Sequence, residues 1–297
     1  MLKAAVLINP TSGRGRSAKN APIAVSRLRE RGVQVDVLQA DDAAGSLDLA
    51  KRAVADGVDA LIACGGDGTV HCALQAVYGT QTVLGIIPVG TGDDIARALG
   101  LPRDDAAAAA DVIADGRLRT IDYAVIAAAD GTEAAFIAVM SAGFDSEVTE
   151  RANTMKWPTG TSRYLVATLI ELGVYKAVEF QISVDGRTES AEGMMLAIGN
   201  GPSYGGGMYV CPEAVLDDGM LDLTFLSRTS KWTFIKTFPK VFKGTHIHHR
   251  IVSTTRGSHI RVDAPGQTAY ADGERVGPLP VDVRVVPAGL RVFTPGD

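Results

Sequence analysis

Ala60-Leu61-Ile62-Ala63-Cys64-Gly65-Gly66-Asp67-Gly68-Thr69 is the stretch from which the fold is read. Its first five residues are apolar without alternation, which marks a strand buried on both faces. A glycine-rich turn follows, and Val70–Tyr78 then has the spacing of a helix. The same order recurs on either side. Upstream, Ala4–Ile8 runs into Asn9-Pro10-Thr11-Ser12-Gly13, and Ser17–Arg31 carries Ile23, Val25 and Leu28 at helical spacing before Gly32. Downstream, Val83–Ile87 runs into Pro88-Val89-Gly90-Thr91-Gly92 and a helix over 93–99. Val33–Leu38 alternates like a strand. Ser46 is the expected cap of a helix over Leu47–Ala55, closed by Gly57. Strands alternating with helices predict a doubly wound parallel sheet in an α/β domain.

The pattern changes beyond an Ala-rich helix at Asp104–Ala114. From Thr120 onward strand-like runs dominate: Ile121–Ala127, Ala135–Val139, Val178–Val184, Met194–Ile198, Leu221–Leu226, His259–Val262, Val281–Val286 and Leu290–Phe293. One helical interruption is expected, at Ser162–Val174. This predicts a second, mostly antiparallel domain, a β-sandwich or partial barrel. A chain of 297 residues suits two domains. The expected division is 1–122 for the α/β unit and 123–287 for the β-rich unit.

Composition narrows the class. With 46% hydrophobic and 21% charged residues, disorder is excluded. No apolar run reaches the ~18–20 residues a membrane-spanning helix needs. The five-residue run Ala4–Ile8 is too short for a secretory leader. Three cysteines, Cys64, Cys72 and Cys211, show no metal-type spacing and read as reduced thiols of a cytoplasmic protein. The net charge of −5 hides an asymmetry: Leu223–Val262 holds no acid and carries +8, leaving −13 elsewhere. Such a stripe suits either an anionic surface or a merely solvated face. No nucleic-acid partner is expected.

The chemistry concentrates at the turns. Three glycine-rich turns at the carboxyl ends of parallel strands point to a nucleotide or polyphosphate. Gly13-Arg14-Gly15-Arg16-Ser17-Ala18 also fits the loose dinucleotide pattern, with Asp36 or Asp41 near the right distance, but that leaves the other two turns unexplained. Asp67, Asp93, Asp94 and Asp122 are oxygen donors of the kind Mg²⁺ takes. For Asp93 and Asp94, helix capping is the competing reading. Val215-Leu216-Asp217-Asp218-Gly219-Met220-Leu221-Asp222 is an acidic turn, either a hairpin or a cation site using a carboxylate and backbone carbonyls. Asp272-Gly273-Glu274 is a second such turn, from which Glu274 could enter an interdomain cleft as a general base. Lys231–Lys243 places Trp232, Ile235, Phe238 and Phe242 on one helical arc and Lys236, Lys240 and Lys243 on another. That fits a membrane surface or a helix covering the core, with Pro239 breaking it.

Asn9–Gly13, Gly65–Thr69, Pro88–Arg97, Ser141–Asp145, Gly199–Gly207, Cys211–Leu223 and Asp272–Glu274 together resemble the diacylglycerol kinase catalytic-domain family, most closely its bacterial soluble lipid kinases. The resemblance covers essentially the whole chain. It implies ATP bound at the first-domain turns, with residues 288–297 returning as a strand to that domain. It implies nucleotide contacts from Gly65, Gly66, Asp67, Gly68, Thr69, Val70, His71 and Thr91, with Asn9, Ser12, Gly13 and Gly90 in the same site. Asp67, Asp94 and Asp122 would organise a Mg²⁺–water network. Val215 and Met220, by their carbonyls, and Asp218 would hold a structural Mg²⁺. Glu274 would accept the proton of a lipid hydroxyl, most simply that of diacylglycerol, giving phosphatidic acid. The expected setting is the cytoplasmic membrane face, with peripheral contact through 228–261; such domains can pair through sheet edges as a homodimer, and the sequence leaves the number of copies open. The family run G-T-x-N-D-F reads Gly90-Thr91-Gly92-Asp93-Asp94-Ile95 here, which adds a charge at Asp93. The family's threonine near the end of the second strand has no counterpart in Leu38-Gln39-Ala40. The rival readings are a kinase for a soluble hydroxyl compound such as NAD, which rests on Gly65–Thr69 alone, and a nucleotide sensor on lipid surfaces without turnover.

Overall fold

Four parallel strands open the computed structural model, which describes residues 1–9, 16–155, 157 and 161–296. They are β1 (Lys3–Ile8), β2 (Gln34–Gln39), β3 (Ala60–Gly65) and β4 (Val83–Pro88), hydrogen-bonded in the order β2-β1-β3-β4. All six residues of β3 are buried. Leu7, Leu61 and Leu84 join the core on one face of this sheet, and Val6, Ile62 and Ile87 join the core on the other. This is why the runs show no alternation. The helices α1 (Arg16–Glu30), α2 (Ala43–Ala55), α3 (Asp67–Val77), α4 (Asp94–Ala98) and α5 (Ala106–Asp115) cover those faces. The strand order reverses between β1 and β3. A crevice therefore opens at their carboxyl ends, where open α/β sheets bind ligands.

Two local expectations shift. The cap of α2 is Asp42, which accepts from Gly45 N at 2.7 Å, while the Ser46 hydroxyl donates to Asp42 O inside the first turn. Carboxylate and hydroxyl both suit an N-cap, so composition alone did not separate them. The helix after Gly65-Gly66 begins at Asp67, which shortens the glycine turn and places its aspartate on the first helical turn.

The second half contains β5 (Leu118–Ala128), β6 (Glu133–Phe136), β7 (Val139–Gly143), α6 (Phe144–Thr154), α7 (Thr161–Val174), β8 (Val178–Val184), β9 (Arg187–Gly199), β10 (Leu221–Ser227), α8 (Lys231–Thr237), β11 (Val252–Gly257), β12 (His259–Asp263), β13 (Thr268–Ala271), β14 (Glu274–Pro278) and β15 (Val281–Phe293). Its pairings are antiparallel. The sequence reading missed α6, because its polar first turn continues directly from the Ser141–Asp145 motif. It also split β15, which runs through an irregularity between Val286 and Leu290.

A two-stranded ribbon joins the halves. β5 and β15 pair from Leu118↔Phe293 at one end to Ala128↔Val281 at the other, and Val292 also pairs in parallel with Leu84 of β4. The hydrogen-bonded path is thus continuous from the parallel sheet into the antiparallel strands. Among the described residues, no helix is long and apolar enough to cross a membrane. Burial pushes the Cys64 and Cys211 thiols up to about 12, so both stay protonated and inert.

Candidate active site

The glycine turns after β3 and β4 pack against each other because neither carries a side chain. A Cβ on Gly92 would lie 2.7 Å from Asp67 Oδ2, and one on Gly90 would collide with the Gly66 backbone. The N-caps of α3 and α4, Gly66 and Asp93, make no side-chain cap bond to their own helices. Asp93 instead takes a left-handed conformation (φ 51°) and accepts from Gly90 N at 3.0 Å. Burial raises the pKa of this carboxyl.

Asp67 and Asp94 meet across the two turns, but they do different things. Asp94 is a clasp between the halves of the protein. Its carboxylate accepts from Ser203 Oγ at 3.1 Å, Gly206 N at 2.5 Å and Gly207 N at 2.8 Å, and it pairs with Arg97. Gly205, Gly206 and Gly207 have φ of 64°, 86° and 103°. Only glycine holds three such residues in a row without strain, and this turns the Gly206 and Gly207 N–H groups onto Asp94. Asp67 accepts one bond, from Asp94 N at 2.9 Å. Burial, with Asp94, Asp93 and Asp272 nearby, pushes its carboxyl up to about 6. That surplus of negative charge beside a helix N-terminus fits a Mg²⁺-bound nucleotide, so Asp67 is the carboxylate that would face the ion.

Glu274 reaches the same place from the other side. The Asp272-Gly273 turn joins β13 to β14 with both residues at positive φ, 50° and 87°. This is the tight hairpin that D-G sequences favour. Asp272 is buried and accepts from the backbone N–H groups of Ile137, Ala138 and Val139 at 2.9, 2.9 and 3.2 Å. The hairpin is therefore locked onto the start of β7. Glu274 follows, and its Oε1 lies 2.9 Å from where a Cβ on Gly68 would stand.

One cavity of about 970 Å³ connects these groups to an apolar chamber. Asp67, Gly68, Thr91 and Glu274 line one end; Phe144, Val148, Met195, Leu226, Phe234 and Phe238 line the other. Phe144 and Phe234 sit edge to face at 4.9 Å, and Phe234 stacks on Phe238 at 5.8 Å. Asp145 also lines the cavity, hydrogen-bonded by Ser141 at 2.8 Å and by Tyr204, its pKa raised by desolvation.

Other expected residues fall elsewhere. Ser12 and Gly13 lie outside the described residues, and Asn9 is exposed at the end of β1. The Val70 side chain belongs to the core. The Thr69 hydroxyl is buried over Gly65 without a hydrogen-bond partner. His71 turns towards the antiparallel half, 3.3 Å from Gln75 Nε2 and 3.9 Å from Asp272. Asp122 does not line the cavity. Its two carboxylate oxygens accept from Ala288 N at 2.6 Å and Gly219 N at 2.7 Å, tying the acidic turn to β15.

The acidic turn itself does not fit the cation expected at Val215, Asp218 and Met220. Asp218 Oδ1 accepts from Met220 N at 3.0 Å, and Oδ2 pairs with Arg256, which also reaches Asp222 at 3.2 Å. The Arg256 guanidinium thus supplies the positive charge that the Asp218 carboxylate faces. Sequence reading missed it because Arg256 lies on β11, far along the chain. The chamber and the Asp94 clasp were missed for the same reason, although the Gly205-Gly206-Gly207 run signalled an unusual backbone.

Residues 3–126 match the diacylglycerol kinase catalytic domain, and residues 138–294 match the YegS C-terminal NAD kinase beta sandwich-like domain. A diacylglycerol kinase of Mycobacterium tuberculosis (strain ATCC 25618 / H37Rv) is 44% identical over 294 residues, covering 99% of this chain and 95% of its own. A diacylglycerol kinase of Bacillus subtilis (strain 168) is 31% identical over 284 residues, covering 94% and 92%. The crystal structure of a diacylglycerol kinase from Bacillus anthracis str. Sterne superposes with a TM-score of 0.73 at 20% identity, covering 99% and 97%. An NAD kinase from Archaeoglobus fulgidus in complex with ATP gives 0.55 at 14%, covering 99% and 93%. The two structures share the fold: a parallel α/β sheet followed by an antiparallel β-rich half. Full-length identity to its curated relatives, with both halves matched in order, places this chain in the diacylglycerol kinase family of ATP-using lipid kinases.

Proposed function

We propose that the acceptor is the primary hydroxyl of diacylglycerol and that Glu274 takes its proton. The observation that carries this reading is the single cavity that holds Asp67 and Glu274 at one end and a phenylalanine-lined chamber at the other. An acyl chain gains from burial against those rings at roughly 25 cal/mol per Å². A soluble dinucleotide would instead lose hydration there without hydrogen-bond partners. The wall therefore favours a lipid over an NAD-like acceptor.

The chain's own groups then divide the work. The N–H groups at the start of α3 and around Gly90–Gly92 would hold the ATP phosphates. The chamber would hold the acyl part of the acceptor, so that the hydroxyl points to Glu274. Glu274 accepts the hydroxyl proton, the oxygen attacks the γ-phosphorus in line, the bond to the β-phosphate bridging oxygen breaks, and ADP leaves. Mg²⁺ held near Asp67 would supply charge neutralisation on the phosphates. Asp94 keeps Gly206 and Gly207 against the turn, so the two halves approach at a fixed distance. The test is Glu274→Gln with labelled ATP and short-chain diacylglycerol. Turnover should fall ~10²- to 10⁴-fold with ATP affinity unchanged. Near-normal turnover removes Glu274 as the base, and label transferred to NAD instead of the lipid removes the acceptor.

A further inference from the structure

Five acids line the cavity, and four of them have a task. Asp67 faces the ion, Asp94 holds Ser203, Gly206 and Gly207, Asp272 holds the start of β7, and Glu274 is the base. Asp145 is left over. Its place follows from Gly143, which ends β7 with φ 98° and where a Cβ would stand 2.7 Å from Met194 O. The chain turns at this glycine, and α6 begins with Phe144 and Asp145. Phe144 joins the apolar wall, and Asp145 lines the same cavity beside it. An acid in a first helical turn ordinarily complements the helix dipole. This carboxyl is held by side chains instead: Ser141 Oγ donates to Oδ2 at 2.8 Å, and Tyr204 bonds to it as well. No ion pair among the described residues includes Asp145, and no neighbouring charge acts on it. Desolvation raises its pKa, which favours the neutral acid. A neutral carboxyl has one O–H to give. Because Ser141 and Tyr204 donate to it, that O–H is left for whatever enters the cavity.

A diacylglycerol presents one hydroxyl and two ester carbonyls. Glu274 takes the hydroxyl. The carbonyls give up water on entering the chamber, and that costs free energy unless they meet a donor. The phenylalanine and aliphatic wall offers none. The strand register brings Asp145 to the right place. Ser141 lies opposite Tyr270 on β13, and both line the cavity. The next residue of β13, Ala271, lies opposite Glu274 on β14. Ser141 and Glu274 are thus two strand spacings apart, about 10 Å between backbones. The side chains of Asp145 and Glu274 cover most of that span. What remains is a few bond lengths, the separation of the hydroxyl and its neighbouring ester carbonyl in one glycerol unit.

We propose that Asp145 determines acceptor specificity: its carboxyl donates a hydrogen bond to the ester carbonyl next to the reacting hydroxyl, and so selects acyl glycerols over acceptors that lack that carbonyl. This rests on the lipid-acceptor reading, and the test separates the two. Initial rates are measured with dioctanoylglycerol and with dioctylglycerol, its diether, which keeps the hydroxyl and has no carbonyl. Wild type, Asp145→Asn and Asp145→Ala are compared on both, with ATP affinity and the thermal midpoint recorded for each variant.

On wild type the diether should lose roughly 5- to 150-fold in kcat/KM, because the Asp145 O–H is left unpaired. Asp145→Asn keeps the shape, accepts from Ser141 and Tyr204 and donates from its amide, so it should turn over the ester within about threefold of wild type. Asp145→Ala should lose on the ester the factor that wild type loses on the diether, chiefly in KM, and lose little more on the diether itself. An equal loss on ester and diether makes Asp145 a structural residue and overturns the proposal. So does a wild type that takes both acceptors equally well, or an asparagine variant as impaired as the alanine one. In these three cases the ester is still phosphorylated by wild type, and the lipid-acceptor reading stands. A long-chain amino alcohol preferred to the ester, with the preference lost in Asp145→Asn, also overturns the proposal, because the carboxylate then pairs with an ammonium. Wild type that phosphorylates neither glyceride removes the acceptor reading, and the role of Asp145 falls with it.

Discussion

Replacing Gly68 by alanine should stabilise the fold and slow the reaction, an unusual pair of signs. Gly68 is the second residue of α3, and its φ lies in the ordinary range. Alanine gains roughly 0.5–1 kcal/mol over glycine in a helix interior, and less in the first turn. The new methyl would stand 2.9 Å from Glu274 Oε1. A relaxed carbon–oxygen contact needs about 3.3 Å or more, so the carboxylate must retreat by roughly 0.5 Å. Glu274 is exposed at the end of a flexible side chain, so the retreat costs little stability. Catalysis is less forgiving: a displacement of about 1 Å can cost 100-fold, so half of that should cost about tenfold. Urea unfolding and steady-state kinetics read the two effects separately. A double-mutant cycle isolates the cause, because Gly68→Ala should cost almost nothing further in a Glu274→Gln background. Turnover within twofold of wild type refutes the placement of Glu274 at this turn. The same tenfold loss in the Glu274→Gln background assigns the effect to the phosphate turn instead.

Two further outcomes follow from the charges. The Asp67 carboxyl is pushed from 3.8 up to about 6, so between those values the folded protein binds more protons than the unfolded chain. Stability of the metal-free protein should therefore fall as pH rises from about 4 to 6, by roughly 2–3 kcal/mol at most. Asp67→Asn should flatten that slope and raise the thermal midpoint at pH 7.5 while turnover drops; an unchanged slope refutes the uncompensated carboxylate. Arg256→Gln leaves Asp218 and the mostly buried Asp222 without their cation, and should cost about 1–2 kcal/mol given the half-exposed arginine. A denaturation midpoint indistinguishable from wild type would remove Arg256 as the lock of the 215–222 turn.

Local pattern determined much of this protein. The unbroken apolar runs at 4–8, 60–64 and 83–87 must be covered on both faces, and that alone implies a parallel sheet between helix layers. Asp272-Gly273 encodes its own hairpin through the conformations its two residues tolerate. The glycine turns carry their chemistry because what matters is the missing Cβ, which is written in the residue name. What the tertiary structure decided are the partners. Asp67 and Asp94 look alike in sequence, yet one is left with surplus charge and the other is consumed by Ser203, Gly206 and Gly207 from the other half of the molecule. Asp122 is spent on Gly219 and Ala288, and Asp218 on Arg256. A carboxylate's role depends on which donor reaches it first, and those donors lie tens to well over a hundred residues away. The apolar chamber is of the same kind: Phe144, Met195, Leu226 and Phe234 enclose a space only when α6, β9, β10 and α8 are brought together. Periodicity says which face of an element is apolar, but only the packing of several elements leaves a volume between them.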